Sequence, residues 1–259
     1  MKPTSPRAAR RQAAKFGKGA LTLEELAQRV AKARVSGVDK ARVERARRIL
    51  TSYLQTAFAH QIPAKDVLAE MASGKAAWRL GMAVRDELMK SPPKVVQEAA
   101  CAEGCAFCCI LNGGEGGVIT AFEAEQLHTA LTPLAGQPDG RAWHPKGCPA
   151  LDPDTRSCRA YDARPMICRS FISTDAAACE INAEGGKEMG AGLLGNHLDY
   201  LLVLALCRAA LKGITQVQTY SLADTAALGV AGADGIADAR QKTSALEIAC
   251  HDALVAATA

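Results

Sequence analysis

Large rings are scarce in this chain: phenylalanine, tyrosine and tryptophan together make up 4% of it. Its core must therefore be packed by aliphatic side chains, and with alanine and leucine abundant the bulk reads as helical. Long apolar runs are missing as well. The strongest, LLGNHLDYLLVLALC from Leu193 to Cys207, is interrupted by Asn196, His197 and Asp199. It falls short of the roughly 18 to 20 residues that a membrane span needs, and reads as a buried helix. The first residues have no apolar core of the secretory kind, so the expected location is cytoplasmic and the ten cysteines read as ligands rather than disulfides. No strand–helix alternation of the doubly wound type is visible. Nor is there a serine–histidine–acid set, a phosphate loop or a close carboxylate pair, so the common hydrolase and phosphotransfer chemistries have no carrier.

What is present is divided unevenly. The net charge is +4, but residues 1–100 hold 20 Lys and Arg against 9 Asp and Glu, and the remainder holds 11 against 18. The chain thus splits into a part of +11 and a part of −7. The break falls at Ser91-Pro92-Pro93, where two prolines end a helix. The opening MKPTSPRAARRQAAKFGKGA has basic residues and no acid, and reads as a solvated tail. The basic N-terminal region could meet an acidic protein partner. Nucleic acid is disfavoured, because no interleaved aromatics or recognised module accompany the charge.

Helix signals follow in series. Thr22 and Glu25 form a capping box before the apolar positions Leu23, Leu26 and Val30. The segments Asp39 to Gln61, Ala64 to Met71 and Lys75 to Lys90 carry a helical period. A second box, Thr120 to Glu123, opens a helix through Leu131, and Lys187 to Lys212 and Asp234 to Ala257 read as long C-terminal helices. The only strands expected are short ones around Cys148 to Tyr161, with a turn at Pro153-Asp154.

Against this background CAEGCAFCC, from Cys101 to Cys109, stands out. Eight of the ten cysteines lie between positions 101 and 179: Cys101, Cys105, Cys108, Cys109, Cys148, Cys158, Cys168 and Cys179. Thiolates bind soft and borderline cations strongly, and the spacing in Cys105-Ala-Phe-Cys108 lets a tight turn aim two sulfurs at one ion. The adjacent Cys108 and Cys109 point different ways, so one of them serves a second metal, a polynuclear site or the core. A single tetrahedral zinc would use only half of the set; two four-thiolate sites, or one cluster with accessory thiols, use it better.

Sulfur sites carry negative charge, and Arg159, Arg164 and Arg169 interleave with Cys158 and Cys168. They are candidate cofactor-binding residues that neutralise the centre, the alternative being salt bridges to Asp152, Asp154 or Asp162. Pro165 suits the first position of a short helix presenting Cys168. His144 could replace a thiol; the other histidines, and Cys207 and Cys250, read as parts of helices.

The blocks CAEGCAFCC, VITAFEAEQL and CPALDPDTRSCRAYDARPMICRSF, followed by Cys179, resemble in order those of the zinc- or iron-chelating cysteine-cluster family called CxxCxxCC or YkgJ-like. The pattern CRxYxxRPxxCRxF is the most specific part, and the resemblance implies that the eight cysteines bind metal. The first gap, CAEGC, is three residues rather than two, which sets Cys101 apart. That gap, with Phe107 before Cys108, is also the C-x3-C-x2-C pattern of radical S-adenosylmethionine enzymes, and NGGEGG at Asn112 to Gly117 is similar to their glycine-rich strand. Their fold, however, needs parallel strands that the sequence does not show; the glycines read better as a loop beside the metal.

The expectation is a mainly α protein, with helical segments flanking a small irregular cysteine-rich core and at most short β strands. Its parts are a basic tail (1–20), a helical segment (21–92), a metal-binding core (93–180) and C-terminal helices (181–259). Iron, as an iron–sulfur or polynuclear site, is preferred over zinc, because clustered thiols, almost no histidine and three arginines suit it. The centre would be a redox or group-transfer site, or else serve chelation, sensing or delivery of metal; whether the protein is an enzyme stays open.

Overall fold

The computed structural model describes residues 21–112, 116–242 and 244–258. The expected basic tail lies outside these, as does the middle of the glycine-rich segment. The described residues are mainly helical, with only short antiparallel strand pairs, and no helix among them is long and apolar enough to cross a membrane.

The first helices form where their caps and periods place them. Helix α1 (Leu23–Lys32) starts at Thr22, whose hydroxyl accepts from the Glu25 N–H while the Glu25 carboxylate accepts from the Thr22 N–H. Asp39 caps α2 (Lys40–Ala59) by accepting the Arg42 N–H alone, without a reciprocal bond, and α3 (Ala64–Ser73) and α4 (Lys75–Lys90) follow. Helix α4 stops directly before Ser91-Pro92-Pro93, and the short α5 (Lys94–Gln97) leads to the first cysteines.

Next come β1 (Val118–Thr120), α6 (Ala121–Leu131) and α7 (Gly140–Trp143), then α8 (Met166–Ser170), β2 (Phe171–Ser173) and α9 (Ala176–Ala183). The chain closes with β3 (Ala191–Leu193), α10 (Gly195–Ala210), β4 (Thr219–Ser221), α11 (Leu222–Val230) and α12 (Ala245–Thr258). Strands β1 and β4 pair antiparallel, as do β2 and β3, with Phe171 opposite Leu193.

Three local expectations change. Between Cys148 and Tyr161 there is a single bridge, Leu151 to Cys158, rather than a strand pair. The helix expected from Lys187 starts only at Gly195, because residues 191–193 are drawn into pairing with β2. The segment from Asp234 forms one short turn, Ala237–Ala239, before α12. In both cases tertiary pairing overrides a helix-prone composition.

Apolar burial is organised in two clusters. The first joins α1 to α4 with α10 and takes in Leu246 and Cys250 of α12. Helix α10 is apolar around most of its circumference, which is why it occupies the centre of this bundle. Arg29 closes its C-terminal end, donating to the Ala210 carbonyl at 2.6 Å and the Lys212 carbonyl at 2.5 Å. The second cluster packs Ile119, Ala124, Leu127 and Leu131 against Leu151, Tyr220, Leu222 and Ala226. Helix α8 bridges the two: Met166 lies in the first and Cys168 beside the second.

Candidate metal centre

The eight cysteines arrive on four pieces of chain. Cys101 and Cys105 flank a turn closed by the Cys105 N–H on the Ala102 carbonyl at 3.0 Å, with Gly104 at φ 76°. A left-handed residue absorbs the extra spacer of CAEGC, and glycine does so without Cβ strain. Cys108 and Cys109 share a 3-10 turn, Phe107–Cys109. Cys148 and Cys158 stand at the two ends of a loop tied by the Arg159 N–H to the Ala150 carbonyl at 2.8 Å. Cys168 is on α8, and Cys179 is on α9.

Backbone bonds join the halves. The Cys148 N–H donates to the Cys109 carbonyl at 2.8 Å, and the Leu111 N–H to the Lys146 carbonyl at 2.8 Å. On the other side the Ala100 N–H donates to the Ser173 carbonyl at 2.8 Å, and the Cys101 thiol faces that same oxygen at 3.8 Å. Helix α9 packs on the Phe107–Cys109 turn, and the Asn112 amide holds its end through the Ala183 carbonyl at 2.5 Å.

The sulfurs differ in environment. Cys101 and Cys108 are exposed, whereas Cys148 and Cys179 are buried. Cys109 donates its thiol to Cys108, which holds the Cys108 thiol down at about 7 and pushes Cys109 well up. Burial pushes Cys148 up to about 12 and raises Cys158 and Cys168. Burial also raises Cys101, and Cys105, Cys108 and Cys179 add to that effect. Buried thiols therefore stay protonated by themselves, whereas a bound cation would deprotonate them.

Two features of this donor set fit a metal. Burial raises the Cys148 and Cys158 thiols, but the backbone at Ala150 and at Ala160 acts in the opposite direction and favours the thiolates. Arg164 also favours the charged forms of Cys108, Cys158 and Cys168. Among the described residues, however, no three Cys, His, Asp or Glu side chains already stand close enough together to enclose an ion. The fit thus rests on donor chemistry and grouping rather than on a closed coordination shell.

The arginines bond mainly to backbone. Arg159 donates to the Pro149 carbonyl at 3.4 Å, and its Nε is buried without a partner. Arg164 lies over the Tyr161 ring at 3.5 Å from the centroid. Arg169 donates to the Arg164 carbonyl at 2.8 Å and to the Asp162 carbonyl, rather than its carboxylate, at 2.5 Å. His144 accepts the Lys146 N–H on Nδ1 at 3.1 Å, within its own turn. Cys207 and Cys250 lie in the first apolar cluster, away from the other eight.

One supporting residue exceeded its sequence signal. Glu123 completes the Thr120 capping box, as its spacing announces, but it is also buried and accepts from the Met166 N–H at 2.8 Å and from the Tyr200 hydroxyl at 2.5 Å. It thereby fixes the start of the helix that carries Cys168. Residues 100–187 match the family model CxxCxxCC, described as a "Putative zinc- or iron-chelating domain". No curated protein and no solved structure matches the chain.

Proposed function

We propose that this protein, whose residues 100–187 form a domain of the CxxCxxCC family, is a metal-binding protein that holds iron through its eight clustered cysteines. The ligands are Cys101, Cys105, Cys108, Cys109, Cys148, Cys158, Cys168 and Cys179, with Arg159, Arg164 and Arg169 neutralising the centre. The observation that carries this is a core that brings both halves of the cysteine set together, tied by the Cys148 N–H on the Cys109 carbonyl at 2.8 Å and the Ala100 N–H on the Ser173 carbonyl at 2.8 Å. Iron is preferred over zinc because the donors are nearly all sulfur, with cationic side chains beside them. Bound there, an iron–sulfur or polynuclear centre would supply one-electron or group-transfer chemistry.

The chain's own contribution is to hold the sulfurs. Glu123 sets α8 and with it Cys168, and α9 carries Cys179 back against the first cysteines. The division expected from the sequence, a helical segment, a cysteine core and C-terminal helices, remains part of this reading. The location proposed is cytoplasmic, where the ten free thiols would stay reduced. An acidic protein partner at the basic N-terminal region also belongs to the proposal.

A second reading, chelation, sensing or delivery of zinc or iron without catalysis, is favoured by the exposure of Cys101 and Cys108, which leaves ligands within reach of an acceptor. A radical S-adenosylmethionine enzyme is not favoured, because the strand pairs among the described residues are short and antiparallel. Elemental analysis and absorption spectroscopy on protein purified without oxygen test the metal and its identity.

A further inference from the structure

The eight cysteines are not equivalent, and their placement separates them into two sets of four. Cys109, Cys148, Cys158 and Cys168 all belong to the second apolar cluster, or pack against it. Cys101, Cys105, Cys108 and Cys179 belong to neither cluster. We propose that the first four form an inner site that staples the fold, and the second four an outer site whose metal exchanges with the surroundings. This rests on the metal-binding reading above and assigns different duties within it.

The inner set is built into the packing. The Cys148 N–H holds the Cys109 carbonyl at 2.8 Å, the Leu151 to Cys158 bridge closes the loop between its two cysteines, and Glu123 anchors α8 under Cys168. Cys148 is buried, and Cys109, Cys158 and Cys168 are half-buried against an apolar core that includes Ile119, Leu127 and Leu151, so a chelator must loosen that core to reach all four sulfurs. Opening a packed core costs a large part of the folding free energy, so release is slow.

The outer set is held from the edge. Cys101 sits at the Ser173 carbonyl of β2, Cys179 is on α9, and Cys105 and Cys108 come from the segment on which α9 packs. Two of the four sulfurs are exposed. The adjacent pair is divided here: in the turn Phe107–Cys109, Cys108 is exposed whereas Cys109 is half-buried and packs against the second cluster, so the neighbours are assigned to different sites even though their thiols touch. Exchange at the outer site is ligand substitution. The ion leaves with its oxidation state unchanged, its bonds to sulfur are replaced by bonds to the acceptor, and the freed thiolates take up protons from solvent.

The full chain, purified without oxygen, is incubated with EDTA and sampled over time, and the metal retained after desalting is measured by elemental analysis. The same is done for Cys101→Ser/Cys105→Ser and Cys148→Ser/Cys158→Ser. Two phases are expected for the unaltered protein, each carrying half of the metal, with the slow phase at least about tenfold slower. The outer double variant should keep the slow half and its melting temperature, while the inner one should melt at a lower temperature or fail to fold. If the inner variant does not fold, the outer variant and the unaltered protein still decide the matter. A single release phase, or an outer variant that loses all its metal, overturns the division while leaving metal binding intact. No metal in the unaltered protein overturns both.

Discussion

Glu123 Oε1 accepts the backbone N–H of Met166 at 2.8 Å, across 43 residues of sequence, while the same carboxylate caps its own helix. One buried side chain thus ties the start of α6 to the helix that carries Cys168, and through the Tyr200 hydroxyl to α10. All its partners are donors, the Thr120 N–H and hydroxyl included. Glu123→Gln turns one acceptor into a donor among donors and should cost about 2 to 3 kcal/mol. At about 2 to 4 °C per kcal/mol in a chain of this size, thermal denaturation should show a fall of roughly 5 to 10 °C.

A close backbone approach lies behind Cys148. A Cβ added at Gly140 would stand 2.3 Å from the Cys148 carbonyl oxygen and 2.9 Å from the Leu151 Cβ. Neither is the end of a flexible side chain, so Gly140→Ala must displace the loop. Overpacking of this kind costs about 1 to 3 kcal/mol, and metal content should fall along with melting temperature. Gly235→Ala, with nothing within 4 Å of the added carbon, should change neither.

Burial lowers the His197 pKa from 6.5 to about 4, and its Nδ1 has no partner. The folded protein therefore keeps the ring neutral, while the unfolded chain protonates it below about 6.5. The resulting stability is fully present above pH 6.5 and is lost as pH falls towards 4. Between pH 7.5 and 5.5 the loss should be on the order of 1 kcal/mol. Urea denaturation at the two pH values measures it, and His197→Leu should show a correspondingly smaller difference.

Cys207 and Cys250 serve as apolar core residues. Cys207 is fully buried on α10, and Cys250 donates to the Leu201 carbonyl at 3.7 Å. Cys207→Ala and Cys250→Ala should each leave the metal per chain unchanged in elemental analysis. The cost should be confined to stability, about 1 kcal/mol for the loss of a small buried group.

The cap residues and the proline break could be read directly from the sequence. Thr22 with Glu25 and Thr120 with Glu123 each start a helix at the expected place, because a cap is a local hydrogen-bond pattern. The four β strands were missed. Each is three residues long and gains its form from a partner far along the chain, as Val118 does from Ser221. The clustering of eight cysteines was legible because like residues crowd a short stretch. Their grouping was not, since it depends on which of Cys108 and Cys109 turns inward and on how α9 folds back, and neither leaves a local signature.

Metal bound to the eight-cysteine core is measured most directly on protein purified without oxygen, by iron and zinc content per chain together with the absorption spectrum. The prediction is iron in excess of zinc, with a charge-transfer band at roughly 400 nm. A colourless protein holding two zinc ions per chain would contradict the iron assignment, and a chain carrying neither metal would contradict the account as a whole.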